Sequence, residues 1–271
     1  MNLGVTLTNT GSGITPAMLA KVKSLGVKTI RMGLNPRFTD LQHNSWQVDE
    51  IAKASVGYNL ICPLAGNNCG GEVPAWPGVT AQNQGVTTDE NRRLWANWAA
   101  DMIGYVLRIN PNTKFEIWNE PDLPQFWDKP DPSAYVALVH AVREECTARG
   151  LKPFLIGGVW SNYDEARGRD FAGSCLYKGL LPYVDGVAYH DYSPVGGMRY
   201  RLSNLYSDMA DHGAIRPIFI TEANAWTNGQ DGKPEDRFPK MIKACGENLV
   251  DTVCIYKLEN QPKDKDIMDL S

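Results

Sequence analysis

Two glutamates, Glu120 and Glu222, each close an apolar, β-prone run in this 271-residue chain. The stretch Phe115-Glu116-Ile117-Trp118-Asn119-Glu120-Pro121-Asp122 climbs to an Asn-Glu pair and is then cut by a proline, which cannot continue a hydrogen-bonded ladder. Ile218-Phe219-Ile220-Thr221-Glu222 ends in a carboxylate too. In a barrel of alternating strands and helices, the carboxyl ends of the strands are where chemistry is placed. Glu116 precedes Glu120 by an even spacing, so period two puts both on one strand face and does not choose between them. The break at Pro121 favours Glu120, because the last residue of a strand can project into the mouth. Paired carboxyl groups about 5–5.5 Å apart suit hydrolysis of a glycosidic bond with retention, one attacking the anomeric carbon and the other protonating the leaving oxygen. Their surroundings must hold the two pKa values apart. Arg31, near the end of the run Val27 to Gly33, would keep Glu222 ionised by charge and hydrogen bonding, and Tyr192 would donate to the same carboxylate. Asn119 would bind the sugar 2-hydroxyl. His190 joins this supporting set, with a satisfied core histidine as the plainer account of it.

The elements that must position these residues alternate from end to end without a composition break, the signature of a parallel α/β architecture. Strands are expected at about Leu3–Thr8, Val27–Gly33, Leu60–Ala65, the Phe115 stretch, Pro153–Trp160, Gly186–Tyr192, Pro217–Glu222 and Thr252–Leu258. Helices are expected from Thr15-Pro16 to Leu25-Gly26, Val48 to Val56, Thr88 to Leu107, Asp131-Pro132 to Arg149-Gly150, Phe171 to Leu181, Leu202 to Met209 and Phe238 to Leu249. Proline at a first helical position and glycine just past the last set several of these boundaries. Leu94, Trp95, Trp98 and Met102 recur at helical spacing and predict core packing. Eight strands imply a single (β/α)8 barrel over residues 1–271, with the last helix short or missing because Asp266–Ser271 is too short to form one. The long connection from Gly66 to Thr87, rich in glycine, proline and asparagine, is of a length that usually serves function.

Hydrophobic residues are 43% and charged residues 21%, which excludes disordered and fibrous classes. A net charge of -4 lacks the basic face that nucleic acid requires. No apolar run approaches the roughly 20 residues needed to cross a bilayer, so no membrane partner is expected. The start, Met1-Asn2-Leu3-Gly4, has no basic head and reads as a strand rather than a signal peptide. That leaves a cytoplasmic or phage-associated protein, or one secreted with its leader removed. The six cysteines are scattered without a CxxC pair and read as buried thiols, with a Cys62–Cys69 bridge as the minor alternative. No cofactor and no metal is called for.

Trp118-Asn119-Glu120-Pro121 resembles the acid/base signature of glycoside hydrolase clan A. Ile220-Thr221-Glu222 is similar to the clan's nucleophile strand, and Ile30-Arg31 and His190-Asp191-Tyr192 to its supporting positions. The run from Trp118 to Trp127, with Ile156-Gly157-Gly158, most resembles family 39, with family 5 next. This resemblance implies a (β/α)8 retaining β-glycosidase with Glu120 as acid/base and Glu222 as nucleophile. Ile255-Tyr256-Lys257-Leu258-Glu259 departs from it, since clan members often carry a tryptophan at the end of strand eight. Ala223-Asn224-Ala225-Trp226 also differs from the usual continuation, and the chain is shorter than typical family 39 enzymes.

Aromatic rings stack on the apolar faces of sugars. Trp76, Trp127, Trp160 and Trp226 fall on expected loops or strand ends at the catalytic face and are nominated as platforms, with Asn67 as a polar contact. Arg167, Arg169, Arg199 and Arg201 cluster in the expected loops after strands five and six, where they would grip an anionic sugar or stand as solvated charges. The absence of large insertions favours endo action on a polysaccharide. Rival readings are a non-catalytic carbohydrate-binding barrel within a larger assembly and a barrel lyase or aldolase using Lys257. A partner domain or subunit would dock on the flank left by the missing helix.

Overall fold

The computed structural model describes residues 1–7, 15–34, 55–64, 81, 83–163, 169–223 and 234–256. Eight parallel strands close on themselves in sequence order. They are β1 (Asn2–Thr6), β2 (Thr29–Arg31), β3 (Asn59–Leu64), β4 (Lys114–Ile117), β5 (Phe154–Trp160), β6 (Gly186–Asp191), β7 (Ile218–Ala223) and β8 (Val250–Ile255). The seam is made by Leu3 opposite Val253 and Val5 opposite Ile255. Six helices lie outside the sheet among the described residues: α1 (Pro16–Ser24), α2 (Asp89–Ile109), α3 (Pro132–Ala148), α4 (Arg169–Tyr177), α5 (Val195–Asp211) and α6 (Pro234–Glu247).

Local chemistry sets the helix ends. The Thr15, Thr88 and Asp131 side chains accept from backbone N–H groups of the first turns of α1, α2 and α3. The chain leaves α3 through Gly150 at φ 69°, a left-handed position that suits glycine. Two apolar layers follow from strand alternation. Ile61, Ile156, Val159, Ala188, Phe219 and Cys254 fill the barrel interior. Alternate strand residues, such as Phe115, Ile117 and Leu155, pack outward with the helices. At the floor, Lys114 pairs with Asp251 at 3.2 Å and lies over the Phe154 and Phe219 rings.

Several boundaries differ from those the sequence predicts. Helix α5 begins at Val195, one turn beyond the end of β6, and not at Leu202. Gly196-Gly197 reads as loop, yet both glycines lie inside the helix, and a Cβ on Gly197 would meet the Arg201 guanidinium at 2.8 Å. Arg199 and Arg201 are therefore helical residues. Arg201 is buried and clamps Asp191 through Nε at 3.1 Å and Nη2 at 2.9 Å, while Arg199 pairs with Glu247 on the surface. Neither is the loop arginine that would grip an anionic sugar. Arg167 and the Arg169 side chain lie outside the described residues. Helix α4 stops at Tyr177, with Gly179 at φ 84°, and α6 starts at Pro234. Strand β8 starts two residues early because the exposed Leu249, at φ 54°, makes the turn into it. The expected Val48–Val56 helix up to residue 54, most of the Gly66–Thr87 connection, Cys69, Lys257 and the final segment lie outside the described residues, and Ser55 and Val56 form a turn. The remaining five cysteines are buried free thiols.

Candidate active site

Strand β4 ends at Ile117, and the next three residues abandon its alternation. Lys114 and Glu116 face the barrel interior while Phe115 and Ile117 pack outward, as period two requires. Trp118 then takes φ 69°, a left-handed conformation that costs a non-glycine residue about 1–2 kcal/mol. The turn drives its indole outward as well, 4.9 Å from the Trp127 ring and 5.7 Å from Trp95, with Nε1 donating to the Phe126 carbonyl. Two successive outward residues leave Asn119 and Glu120 to address the mouth. Glu120 itself has φ 45°, and its N–H donates to the Val159 carbonyl at 2.9 Å. Val159 is at φ 51° within a bulge of β5, beside Gly158 at φ 84°. A β-branched residue rarely adopts that conformation, so two strained segments meet at the hydrogen bond that holds Glu120.

Across the mouth, β7 delivers Glu222. Glu120, Glu222 and His190 each contribute an atom to a triangle with no side longer than 4.8 Å. Each of the two glutamates retains about 9% exposure, so the pair is recessed without being sealed. Arg31 donates from Nη1 to Glu222 Oε1 at 2.6 Å and from Nη2 to Asn119 Oδ1 at 3.3 Å. Tyr192 donates its hydroxyl to the other Glu222 oxygen. Burial alone would push the Glu222 carboxyl up, but the charges of His190 and Arg31 and the Tyr192 and Arg31 hydrogen bonds outweigh it, so its pKa is lowered. Glu222 is thereby held as a carboxylate. Burial, with the Glu222 charge beside it, pushes the Tyr192 phenol far up, so it remains a donor.

His190 Nδ1 and Glu120 Oε1 lie 2.7 Å apart, close enough to share one proton. Burial works against the charged imidazole, yet the Glu222 charge and the Glu120 hydrogen bond raise its pKa overall. The fully buried ring is thus held against both carboxyl groups. Asp191, next along β6, turns away to Arg201 and Ser193 and has no part in the mouth. The triangle could offer oxygen and nitrogen ligands to a cation, but the guanidinium already held at Glu222 would repel one.

Arg31, Asn119, Glu120, His190, Tyr192 and Glu222 are therefore brought together as the sequence predicts. Trp127 and Trp160 are not sugar platforms. Both are fully buried: Trp127 lies between Trp118 and Tyr135, and Trp160 is 5.8 Å from Tyr163. For Trp160 the reason is the left-handed turn at Val159, which rotates the end of β5 outward; Trp127 lies beyond β4 in the turns that fold back onto Trp118 and Tyr135. Asn67, Trp76 and Trp226 lie outside the described residues. Two contributors escape the sequence reading, and a third, Glu116, is seen there only as an alternative to Glu120. Glu116 is the buried partner of Arg31, which its even spacing from Glu120 hints at. The Val159 carbonyl carries no residue-type signal. Tyr256 follows β8, partly exposed, with its ring 6.2 Å from Tyr192 and nearly perpendicular to it; its place after an apolar run was the available cue.

No protein-family model matches the chain, and neither does any curated protein. Solved structures do. A monomeric β-xylosidase from Caulobacter crescentus superposes with a TM-score of 0.69 at 16% identity, over 94% of this chain and 59% of that one. A family 39 glycoside hydrolase from Bacteroides cellulosilyticus gives 0.70 at 18% identity, over 99% of this chain and 58% of that one. A family 5 endoglucanase from a Clostridium species gives 0.64 at 12% identity, over 93% and 80%. The chain is thus similar in fold to the families that its motifs resemble, and it spans about three fifths of the length of the family 39 structures.

Proposed function

We propose that this barrel is a retaining glycoside hydrolase acting on a β-linked polysaccharide or oligosaccharide, with Glu222 as nucleophile and Glu120 as acid/base. The observation that carries the reading is the convergence of Glu120 and Glu222, from opposite sides of the barrel, to within 4.8 Å in one recessed opening. Nearest oxygens within 4.8 Å suit the roughly 5–5.5 Å carboxyl separation of retaining enzymes better than the roughly 6.5–9.5 Å that leaves room for a water in inverting ones.

In the first step a Glu222 oxygen attacks the anomeric carbon as the bond to the leaving oxygen breaks, and Glu120 gives that oxygen its proton. A glycosyl ester on Glu222 and an ionised Glu120 result. Glu120 then removes a proton from water, whose oxygen attacks the same carbon and releases Glu222 with overall retention. Arg31 and Tyr192 keep Glu222 ionised between turnovers, and the His190 contact steadies Glu120 while it gives up and regains its proton. Asn119, which Arg31 holds, is the residue we assign to the sugar 2-hydroxyl. Endo action is our reading, carried from the sequence alone.

The test is turnover of an aryl β-glycoside and a panel of β-linked polysaccharides, followed by Glu222→Ala. The variant should lose turnover and recover it with azide, giving a glycosyl azide of inverted configuration. Full activity without Glu222, or binding of polysaccharide without turnover by the unaltered protein, overturns the proposal.

A further inference from the structure

Beneath the mouth lies a charge that the double displacement does not use. Glu116 is fully buried in the barrel interior, one layer below Glu120 and Glu222. Its Oε2 accepts from Arg31 Nε at 2.8 Å, and Arg31 Nη2 lies 2.8 Å from the same oxygen. Its other oxygen, Oε1, is buried without a hydrogen-bond partner among the described residues. Below it, the Lys114 ammonium is engaged by Asp251 at the barrel floor.

We infer that Glu116 is a positioning residue for the proposed nucleophile: it anchors Arg31 from behind and divides the guanidinium charge, so that Glu222 stays ionised yet basic enough to attack. The inference rests on the proposed function and goes one layer deeper. Geometry gives the first half. Held at Nε by Glu116, the planar guanidinium can present Nη1 to Glu222 and Nη2 to Asn119 at once. Charge gives the second. Among the described residues, the groups facing this cation are Glu116 and Asn119 from the β4 end, Glu222 from β7, His190 from β6, and the Cys62 and Cys254 thiols from β3 and β8. Glu120 and Tyr192 face His190 and Glu222. Cys62 also faces Glu116, and Tyr256 stands beside Tyr192. Among the described residues, Arg31 is the cation nearest Glu222 other than a protonated His190. Without Glu116 its whole charge would fall on Glu222, making that carboxylate a weaker base and a poorer nucleophile.

The test is the pH profile of kcat/KM for Glu116→Gln, which keeps the shape and removes the charge. The acid limb should move down by about one pH unit, the low end of what one nearby charge does to a carboxyl. kcat should fall roughly ten- to a hundredfold with KM little changed, as for a misplaced reacting group. Glu116→Asp keeps the charge but shortens the reach; its acid limb should stay at the wild-type position while kcat falls. An unmoved limb in a folded Glu116→Gln protein overturns the inference. Should that variant not fold, wild-type kcat in Glu116→Asp overturns it. Glu222→Ala with azide, run alongside, separates the cases: an active Glu222→Ala protein sinks the assignment of the nucleophile, whereas azide rescue with an unmoved Glu116→Gln limb sinks only the role of Glu116.

Discussion

Replacing Arg31 by methionine should destabilise the protein in a way that depends strongly on pH. The substitution keeps an unbranched side chain of similar reach and removes the one guanidinium shared by Glu116 and Glu222. A buried carboxylate left without its partner costs about 3–5 kcal/mol. A carboxyl group can instead take up a proton, and that escape sets a ceiling. From an ordinary pKa of about 4.3, protonation at about pH 7 costs about 3.7 kcal/mol, and at about pH 5 only about 1 kcal/mol. The folded variant then binds one more proton than its unfolded chain, so its deficit relative to wild type must grow as pH rises. Denaturant unfolding at the two pH values should show a loss of about 3–4 kcal/mol at the higher and about 1 kcal/mol at the lower. Adding Glu116→Gln should restore much of the loss, because the more deeply buried of the two charges is then gone. A deficit equal at both pH values, or no deficit at all, would refute the view that Arg31 neutralises buried carboxylates.

Three other outcomes follow from single contacts. Gly85→Ala should be strongly destabilising in thermal melts, because its Cβ would fall 1.8 Å from Trp127 Nε1, an overlap larger than a flexible neighbour can absorb. Trp160→Ala should lower stability by about 3–5 kcal/mol, as a buried indole does, while leaving KM for short substrates nearly unchanged; a large KM effect without destabilisation would return Trp160 to the sugar. Melting temperature against pH should fall on both sides of a plateau. Glu222 has a lowered folded pKa, so its contribution is full above about 4.3 and lost as pH falls through the folded value. His190 has a raised one, so its contribution is full below about 6.5 and lost as pH climbs through the folded value, and His190→Gln should flatten that alkaline side.

What the sequence made legible was whatever local chemistry decides. Thr15-Pro16 and Asp131-Pro132 declare helix starts through a capping oxygen and a fixed φ, and both helices begin there. Glu120 and Glu222 are legible because each follows an apolar, β-prone run, and barrel closure then brings the two together. What stayed hidden depends on partners distant in sequence. Trp160 sits at a strand-end position that an unbroken alternation would turn toward the mouth, and the turn at Val159 sends it into the core, whereas Trp127 lies ten residues beyond β4 and is buried by Trp118 and Tyr135. Arg201 looked like a loop cation because the glycines before it disguise the first turn of α5. Glu116 was visible as a candidate, but its role depends on Arg31, which arrives from another strand.

The strained turn at Trp118 persists because its cost is small beside what holds it. A left-handed non-glycine residue costs about 1–2 kcal/mol. Burying an indole and its aromatic contacts returns more: removing such a side chain costs about 3–5 kcal/mol, and each aromatic pair adds about 0.5–1.5 kcal/mol beyond area. Trp118 has two such neighbours in Trp95 and Trp127, its N–H is satisfied by Phe126, and Tyr135 fixes the preceding residue by donating to the Ile117 carbonyl at 3.0 Å. The aromatic cluster outside the barrel thereby sets the angle at which Asn119 and Glu120 enter the mouth. Under the proposed function, a residue with no access to a sugar would then govern catalysis. Trp118→Gly would relieve the strain and lose the packing, so the chain end of β4 should relax toward ordinary alternation and carry Glu120 away from His190. Such a variant should lose kcat out of proportion to its loss of stability, whereas an equally destabilising substitution in α2, such as Met102→Ala, should leave kcat nearly intact in the folded fraction.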